Sequence, residues 1–152
     1  MKEEHFRALS AVFPVILRTA DNRKQVLLHR RANTGYMDGM LDFAGSGHVD
    51  ENESATQAVV RECMEELGII VHPEDVSFAH LSHRLNQNSQ YTYYDIYFFV
   101  RAYEGTPYIA EPDKSTQLEW FDVEALPADV IEIRKMALGQ LLRSIYYSEV
   151  SA

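Results

Sequence analysis

An α/β fold, with a mixed sheet and helices packed against it, is predicted by three features of the 152-residue chain. Short apolar runs of strand length interleave with two stretches of helical periodicity. Gly, Asn, Asp and Pro gather between these runs, where turns belong. Hydrophobic residues make up 46% and charged residues 24%, the composition of a globular chain. No repeat, low-complexity tract or linker-like run divides it, so residues 1–152 read as a single domain.

Each element has its own reason. Phe6 to Leu17 is rich in apolar residues and leads to the polar turn Asp21-Asn22-Arg23-Lys24. Gln25 to Arg30 then reads as the return strand of a hairpin. Asn33 to Gly39 is loop by its Gly, Asn and Asp content, Met40 to Phe43 a short strand, and residues 44–53 a second loop. Ser54 to Leu67 makes the strongest helix, uninterrupted by Gly or Pro and followed by Gly68 as a stop signal. Asp75 to Arg84 and Tyr91 to Tyr103 read as strands. The second alternates, with Tyr94, Ile96, Phe98 and Val100 on one face and Tyr91, Tyr93, Asp95, Tyr97 and Phe99 on the other. Leu118 to Phe121 is a short strand. Asp129 to about Tyr147 is an amphipathic helix with Val130, Ile133, Ala137, Leu141 and Ile145 on its apolar stripe.

The charge balance narrows function. Fourteen Lys and Arg against 23 Asp and Glu give a net charge of −9, which argues against long nucleic acids and anionic membrane surfaces as partners. Small phosphorylated ligands stay open, because a divalent cation can mediate between two anions. One cysteine, Cys63, excludes an intramolecular disulfide and leaves no cysteine cluster for zinc. The opening MKEEHFR leads into no apolar core of a signal peptide, and no stretch approaches the roughly 18 apolar residues of a membrane span. A reducing, cytoplasmic setting is the expectation.

Acidic residues concentrate in residues 47–69, which hold six acids and one base, Arg61. On a helical wheel with Glu62 at zero, Glu66 falls at about 40° and Glu65 at about −60°, so three carboxylates share an arc of roughly 100°. Val59, Cys63 and Leu67 define the adjoining buried face. Like charges at i,i+4 destabilise a helix by about 0.2–0.5 kcal/mol per pair, and here they also sit near its negative C-terminal end. Arg61 offsets part of this through an i,i+4 pair with Glu65. Two readings stand at this point: a solvated acidic face, or a site completed by hard divalent cations.

The same segment resembles the signature of the Nudix (MutT-like) hydrolases, Gly-x5-Glu-x7-Arg-Glu-U-x-Glu-Glu-x-Gly-U with U aliphatic. Gly47, Glu53, Arg61-Glu62, Glu65-Glu66, Gly68 and Ile69 occupy its fixed positions, and Cys63 takes the first aliphatic slot. A free cysteine packs there as a small hydrophobe. The resemblance implies an α/β/α sandwich with a mixed β-sheet. It also implies Mg²⁺-dependent hydrolysis of nucleoside diphosphate derivatives, with Mn²⁺ as a possible substitute. By position, Glu62, Glu65 and Glu66 are the metal ligands; Glu62, then Glu65, are the candidates for general base. Glu53 and Arg61 are structural, as are Gly47, beside the metal, and Gly68.

Substrate-binding candidates follow with their alternatives. His29-Arg30-Arg31-Ala32 resembles the family's Arg-Arg-Ala strand end, making Arg31 a nucleotide contact or a solvated strand-end arginine. His48 stands where relatives often carry a lysine near phosphate, and a histidine there acts more weakly or with pH. Ala44-Gly45-Ser46-Gly47 replaces the usual Pro-Gly-Gly and is one residue longer. Tyr93 and Asp95 could hold a base, or form a packed face with Asp95 paired to an arginine. Glu111, in the loop from Tyr108 to Gln117, is either a further metal ligand or a surface glutamate. The stretch Arg84 to Gln87 lacks the Tyr or Pro that marks dinucleoside-polyphosphate and ADP-ribose hydrolases, and the long proline-rich motif of NADH pyrophosphatases is missing. What is left is a (deoxy)nucleoside triphosphate cleaved to monophosphate and pyrophosphate. The alternatives are another nucleoside diphosphate-linked compound, a non-catalytic nucleotide sensor, or RNA cap hydrolysis, which the −9 charge disfavours. A monomer and a homodimer are equally compatible.

Overall fold

The computed structural model describes residues 4–86 and 91–151. Gln87, at the end of the stretch used to weigh substrate class, lies outside them, as do Met1 to Glu3 at the start of the charged opening. In chain order the elements are β1 (Leu9–Val15), β2 (Leu17–Ala20), β3 (Arg23–Arg31), β4 (Leu41–Phe43), β5 (Gly47–His48), α1 (Ala55–Leu67), β6 (Val76–Leu85), β7 (Thr92–Val100), β8 (Ser115–Asp122), α2 (Glu132–Leu142) and β9 (Tyr147–Ser151). One sheet runs β5-β1-β7-β6-β9, with β1–β7 and β6–β9 parallel and the other pairs antiparallel. In the second, β3 is central: β2 and β4 share one of its edges, and β8 takes the other.

Both sheets are buried on two faces, because strand side chains alternate. Val12, Leu27, Phe98 and Val100 face α1 and pack with Ala58, Val59, Cys63 and Leu67. Their neighbours Phe13, Val26, Leu28 and Tyr97 face α2 and pack with Ala137, Leu138 and Leu141. A helix thus closes each side of the sheets, which is the expected α/β/α arrangement. The alternation expected for β7 is the one seen.

Two expectations need correction. The hairpin forms, but only Leu17–Ala20 pairs with β3, through a turn in which Asp21 and Asn22 both have positive φ (53° and 61°). The apolar run before it leaves for the other sheet at the fully buried Ile16. The second helix is shorter than Asp129 to Tyr147. Val130 is held in a bridge to Leu41, with Leu41 N donating to Asp129 O at 2.9 Å and Ile131 N to Leu41 O at 3.0 Å, so the helix starts after it. Beyond Leu142, Ser144 turns left-handed (φ 59°) and Tyr147–Ser151 becomes β9 alongside β6. The buried stripe is Arg134, Ala137, Leu138 and Leu141, a charged residue where an apolar one was expected.

Candidate active site

The chemistry is mounted on α1, whose ends are both fixed. Ser54 caps the N-terminus in a reciprocal capping box with Gln57, its hydroxyl accepting from Gln57 N and Gln57 Oε1 accepting from Ser54 N. Gly68 ends the helix in the left-handed region (φ 64°), and a Cβ there would run into the Tyr108 ring. That contact holds the loop carrying Glu111, as do Tyr108 N donating to Leu67 O and Ala110 N to Glu66 O, both at 3.1 Å. Glu62 lies on the buried edge of α1 beside Cys63, Glu66 stands half-buried one turn further on, and Glu65 is exposed.

Glu62, Glu65, Glu66 and Glu111 converge on one cleft of about 620 Å³. Arg31, Tyr36, Arg84 and Tyr93 line its other end, with His48 between. Arg61 organises the acidic wall. It donates to Glu53 at 2.7 and 3.0 Å, to Glu62 at 2.6 Å, to Glu65 at 3.2 Å and to the His48 carbonyl at 3.0 Å. Loop and helix are tied together through this one guanidinium. Its hydrogen bonds hold the Glu53 carboxyl down at about 2. The Glu62 and Glu66 carboxyls shift the other way: burial raises both, opposed at Glu62 by Arg61 and reinforced at Glu66 by the neighbouring charges of Glu62 and Glu111. Gly47 makes room for this, since a Cβ there would collide with the Glu62 carboxylate. Burial also drives the Cys63 thiol up to about 12, an inert core residue.

The donor set suits a hard divalent ion. Four carboxylates offer only oxygen ligands, and burial together with the like charges of Glu62 and Glu111 disfavours ionised Glu66, a cost that a cation relieves. Among the described residues, however, no three such side chains are already drawn around one point.

Other expected residues divide. Arg31 reaches the cleft, but its guanidinium is engaged by Asp42 at 2.9 Å, the Tyr36 carbonyl at 2.7 Å and Thr34 Oγ1 at 3.1 Å. His48 Nε2 lies 3.2 Å from the Tyr93 hydroxyl, so both line the cleft as a pair. Asp95 does not reach the cleft as a substrate contact. It is fully buried beneath it, accepting from Arg84 at 2.7 and 3.2 Å and from Arg134 at 3.0 Å. Arg134 also faces Asp42 at 3.2 Å and lies 3.8 Å from the Phe13 ring centroid, while Arg84 stacks 4.3 Å over Tyr93. Sequence reasoning missed Arg84, Arg134 and Asp42, whose partners lie far apart in the chain. It also missed Lys114, which joins Glu111 at 3.3 Å. The one available signal was an arginine placed among apolar positions of a helix.

This α/β/α sandwich, with a glutamate-walled cleft on α1, is the arrangement of one protein family. Residues 9–139 match the NUDIX domain, and the chain belongs to the Nudix family as a Nudix hydrolase. It is 32% identical over 115 residues to the 8-oxo-dGTP diphosphatase of Escherichia coli (strain K12), covering 75% of this chain and 81% of that protein. It is 28% identical over 125 residues to the NAD-capped RNA hydrolase NudC of Stutzerimonas stutzeri (strain A1501), covering 82% of this chain but only 41% of that relative's length. Among solved structures, the MutT NUDIX hydrolase from Burkholderia pseudomallei superposes with a TM-score of 0.77 at 25% identity, covering 89% of this chain and 98% of that one. The NUDIX domain of Shewanella oneidensis NrtR, complexed with ADP ribose, shares the fold with a TM-score of 0.71 at 17% identity, over 91% of this chain and 88% of that one.

Proposed function

We propose that this chain hydrolyses a (deoxy)nucleoside triphosphate to the monophosphate and pyrophosphate. Mg²⁺, or Mn²⁺ in its place, would be held by Glu62, Glu65, Glu66 and Glu111. The observation that carries this reading is the meeting of four glutamates with an arginine- and tyrosine-lined end in one cleft. A nucleotide is divided in the same way, with an anionic chain at one end and a flat base at the other. When bound, the metal supplies charge neutralisation at the phosphate oxygens and lowers the cost of deprotonating the attacking water.

The chain's own groups do the rest. Glu62 accepts the proton of the attacking water: burial raises its basicity, and Arg61 at 2.6 Å keeps its carboxylate in place. Glu65, more exposed and also bound to Arg61, is the second candidate for that role. The water oxygen bonds to phosphorus as the bridging P–O bond breaks, and pyrophosphate leaves with the electron pair. Tyr93 offers a stacking surface for the base, stiffened by Arg84 behind it. Arg31 and His48 flank the path between the two ends, where the phosphates would pass. The buried thiol and small-molecule cleft suit a single Nudix unit acting on free nucleotides in a reducing cytoplasm.

A nucleotide panel with Mg²⁺ and with Mn²⁺, with product analysis, tests this. Glu62→Gln and Glu66→Gln should lower kcat by about 10²-fold or more while the circular dichroism spectrum is unchanged. Near-wild-type turnover in either variant overturns the assignment, and no hydrolysis of any nucleotide by the wild type leaves a nucleotide-binding module instead.

A further inference from the structure

Among the described residues, Arg31, Arg84, Arg134 and Lys114 are the arginines and lysines that line the cleft. The three arginines are already committed. Arg31 donates through Nε, Nη1 and Nη2 to the Tyr36 carbonyl, Asp42 and Thr34 Oγ1. Arg84 and Arg134 are buried and share the fully buried Asp95. Lys114 differs from them. Its side chain is 53% exposed, and its ion pair is with Glu111 Oε2 at 3.3 Å. A pair so open to water contributes little and is readily exchanged. The backbone beneath it is pinned. Lys114 N donates to Glu111 O and Ala32 N to Lys114 O, both at 3.0 Å, and Asn33 Nδ2 donates to the Asp113 carbonyl at 2.7 Å. A fixed root with a loose ammonium on a flexible four-carbon stem is suited to follow an arriving charge.

We propose that Lys114 is a substrate-binding residue that takes the outermost phosphate of a triphosphate. It thereby sets a preference for triphosphates over diphosphates capped by a neutral group. This rests on the nucleotide reading above and names the substrate class of the same cleft. A terminal phosphate carries a charge of about −1.5 to −2 at pH 7, whereas an inner phosphate, esterified on two sides, keeps a single ionised oxygen. The outer phosphate is therefore where a free cation gains most. Glu111 is both the partner of Lys114 and one of the four glutamates proposed to hold the metal. A cation drawn to Glu111 repels the ammonium, so Lys114 leaves its carboxylate as the substrate's charge arrives. Lys114 lies outside the family motif at residues 47–69, and its contrast with the committed arginines singles it out.

Binding and kinetics on the full chain test it. By titration calorimetry, Lys114→Met should bind Mg²⁺ alone no more weakly than wild type, because a competing cation has gone. It should bind pyrophosphate in the presence of Mg²⁺ about tenfold more weakly or worse, the loss expected for a charge-assisted hydrogen bond. Lys114→Arg should keep most of that affinity. In kinetics, the wild type should favour the preferred triphosphate over its γ-methyl ester, whose outer phosphate has lost its second ionisable oxygen, and Lys114→Met should erase that preference through KM. A wild type indifferent to the ester, a methionine variant that keeps the preference, or unchanged pyrophosphate affinity overturns the proposal. Weakened binding of Mg²⁺ alone in Lys114→Met also overturns it, since the lysine would then be supporting the acidic wall. If the wild type hydrolyses no triphosphate, it is the nucleotide reading that fails, and the pyrophosphate comparison, which needs no turnover, still judges Lys114.

Discussion

The two ends of the cleft both gather buried charge, and they handle it in opposite ways. Beneath the aromatic end, Arg31, Arg84 and Arg134 alternate with Asp42 and Asp95, each aspartate fully buried and held between two arginines. The charges are nearly balanced, so the network can sit in the core. On the acidic wall, Glu62, Glu65, Glu66 and Glu111 face one another with Arg61 and Lys114 as their cationic partners. Burial and mutual repulsion push Glu62 and Glu66 upward, away from the charged form. A balanced cluster is architecture; an unbalanced one is poised for a ligand that completes it.

The sharpest way to break this contrast is to remove a cation from the balanced end. Arg134→Met leaves Asp42 and Asp95 facing each other with less than their full complement of partners, in sites closed to water. It should cost about 3–5 kcal/mol in urea unfolding. A loss below about 1 kcal/mol would mean that the network is incidental to the fold. On the acidic wall, Gly47→Ala places a methyl group against the Glu62 carboxylate. Turnover should fall by about ten- to a hundredfold with little change in unfolding midpoint, because the carboxylate is displaced while the core is untouched.

The smallest expected effect is in the pH dependence of stability, where two glutamates of the motif have opposite signs. Glu66 has a folded pKa raised by burial, so its contribution is complete below the ordinary carboxylate range and is lost as pH rises above it. Metal-free protein should therefore lose melting temperature as pH rises from about 4.5 to about 9, and Glu66→Gln should remove that slope. Glu53, held down to about 2 by Arg61, contributes above its unfolded value of 4.5 and loses that contribution as pH falls toward 2. Glu53→Gln should flatten the acid limb alone. Melting curves of the three proteins from pH 3 to pH 9 read both signs, and identical profiles would show that the two ends of α1 do not differ electrostatically.

The acidic wall was legible because it is local. Glu62, Glu65 and Glu66 lie within two turns of one helix, and a helix of known period places them on one face whatever surrounds it. The caps of α1, the alternation of β7 and the tie between Glu53 and Arg61 follow from spacings of the same short range. The far end of α2 was not legible, since residues 143–147 carry helical periodicity that pairing with β6 overrides. Periodicity is a local preference of tenths of a kcal/mol per residue, and a sheet edge outweighs it.

The balanced network shows the other limit. Its members come from β3, β4, β6, β7 and α2, and Arg31 and Arg134 stand more than a hundred residues apart. No pattern in the chain says that Asp95 meets Arg84 and Arg134 rather than a ligand, because that choice is made only when the strands pair in register and α2 packs across them. By itself the sequence determined the family motif, the helix that carries it and the excess of negative charge it concentrates. The tertiary structure decided which charges are neutralised and which are left facing a cleft, because burial and partner distance, not composition, set the free energy of an ion in a protein.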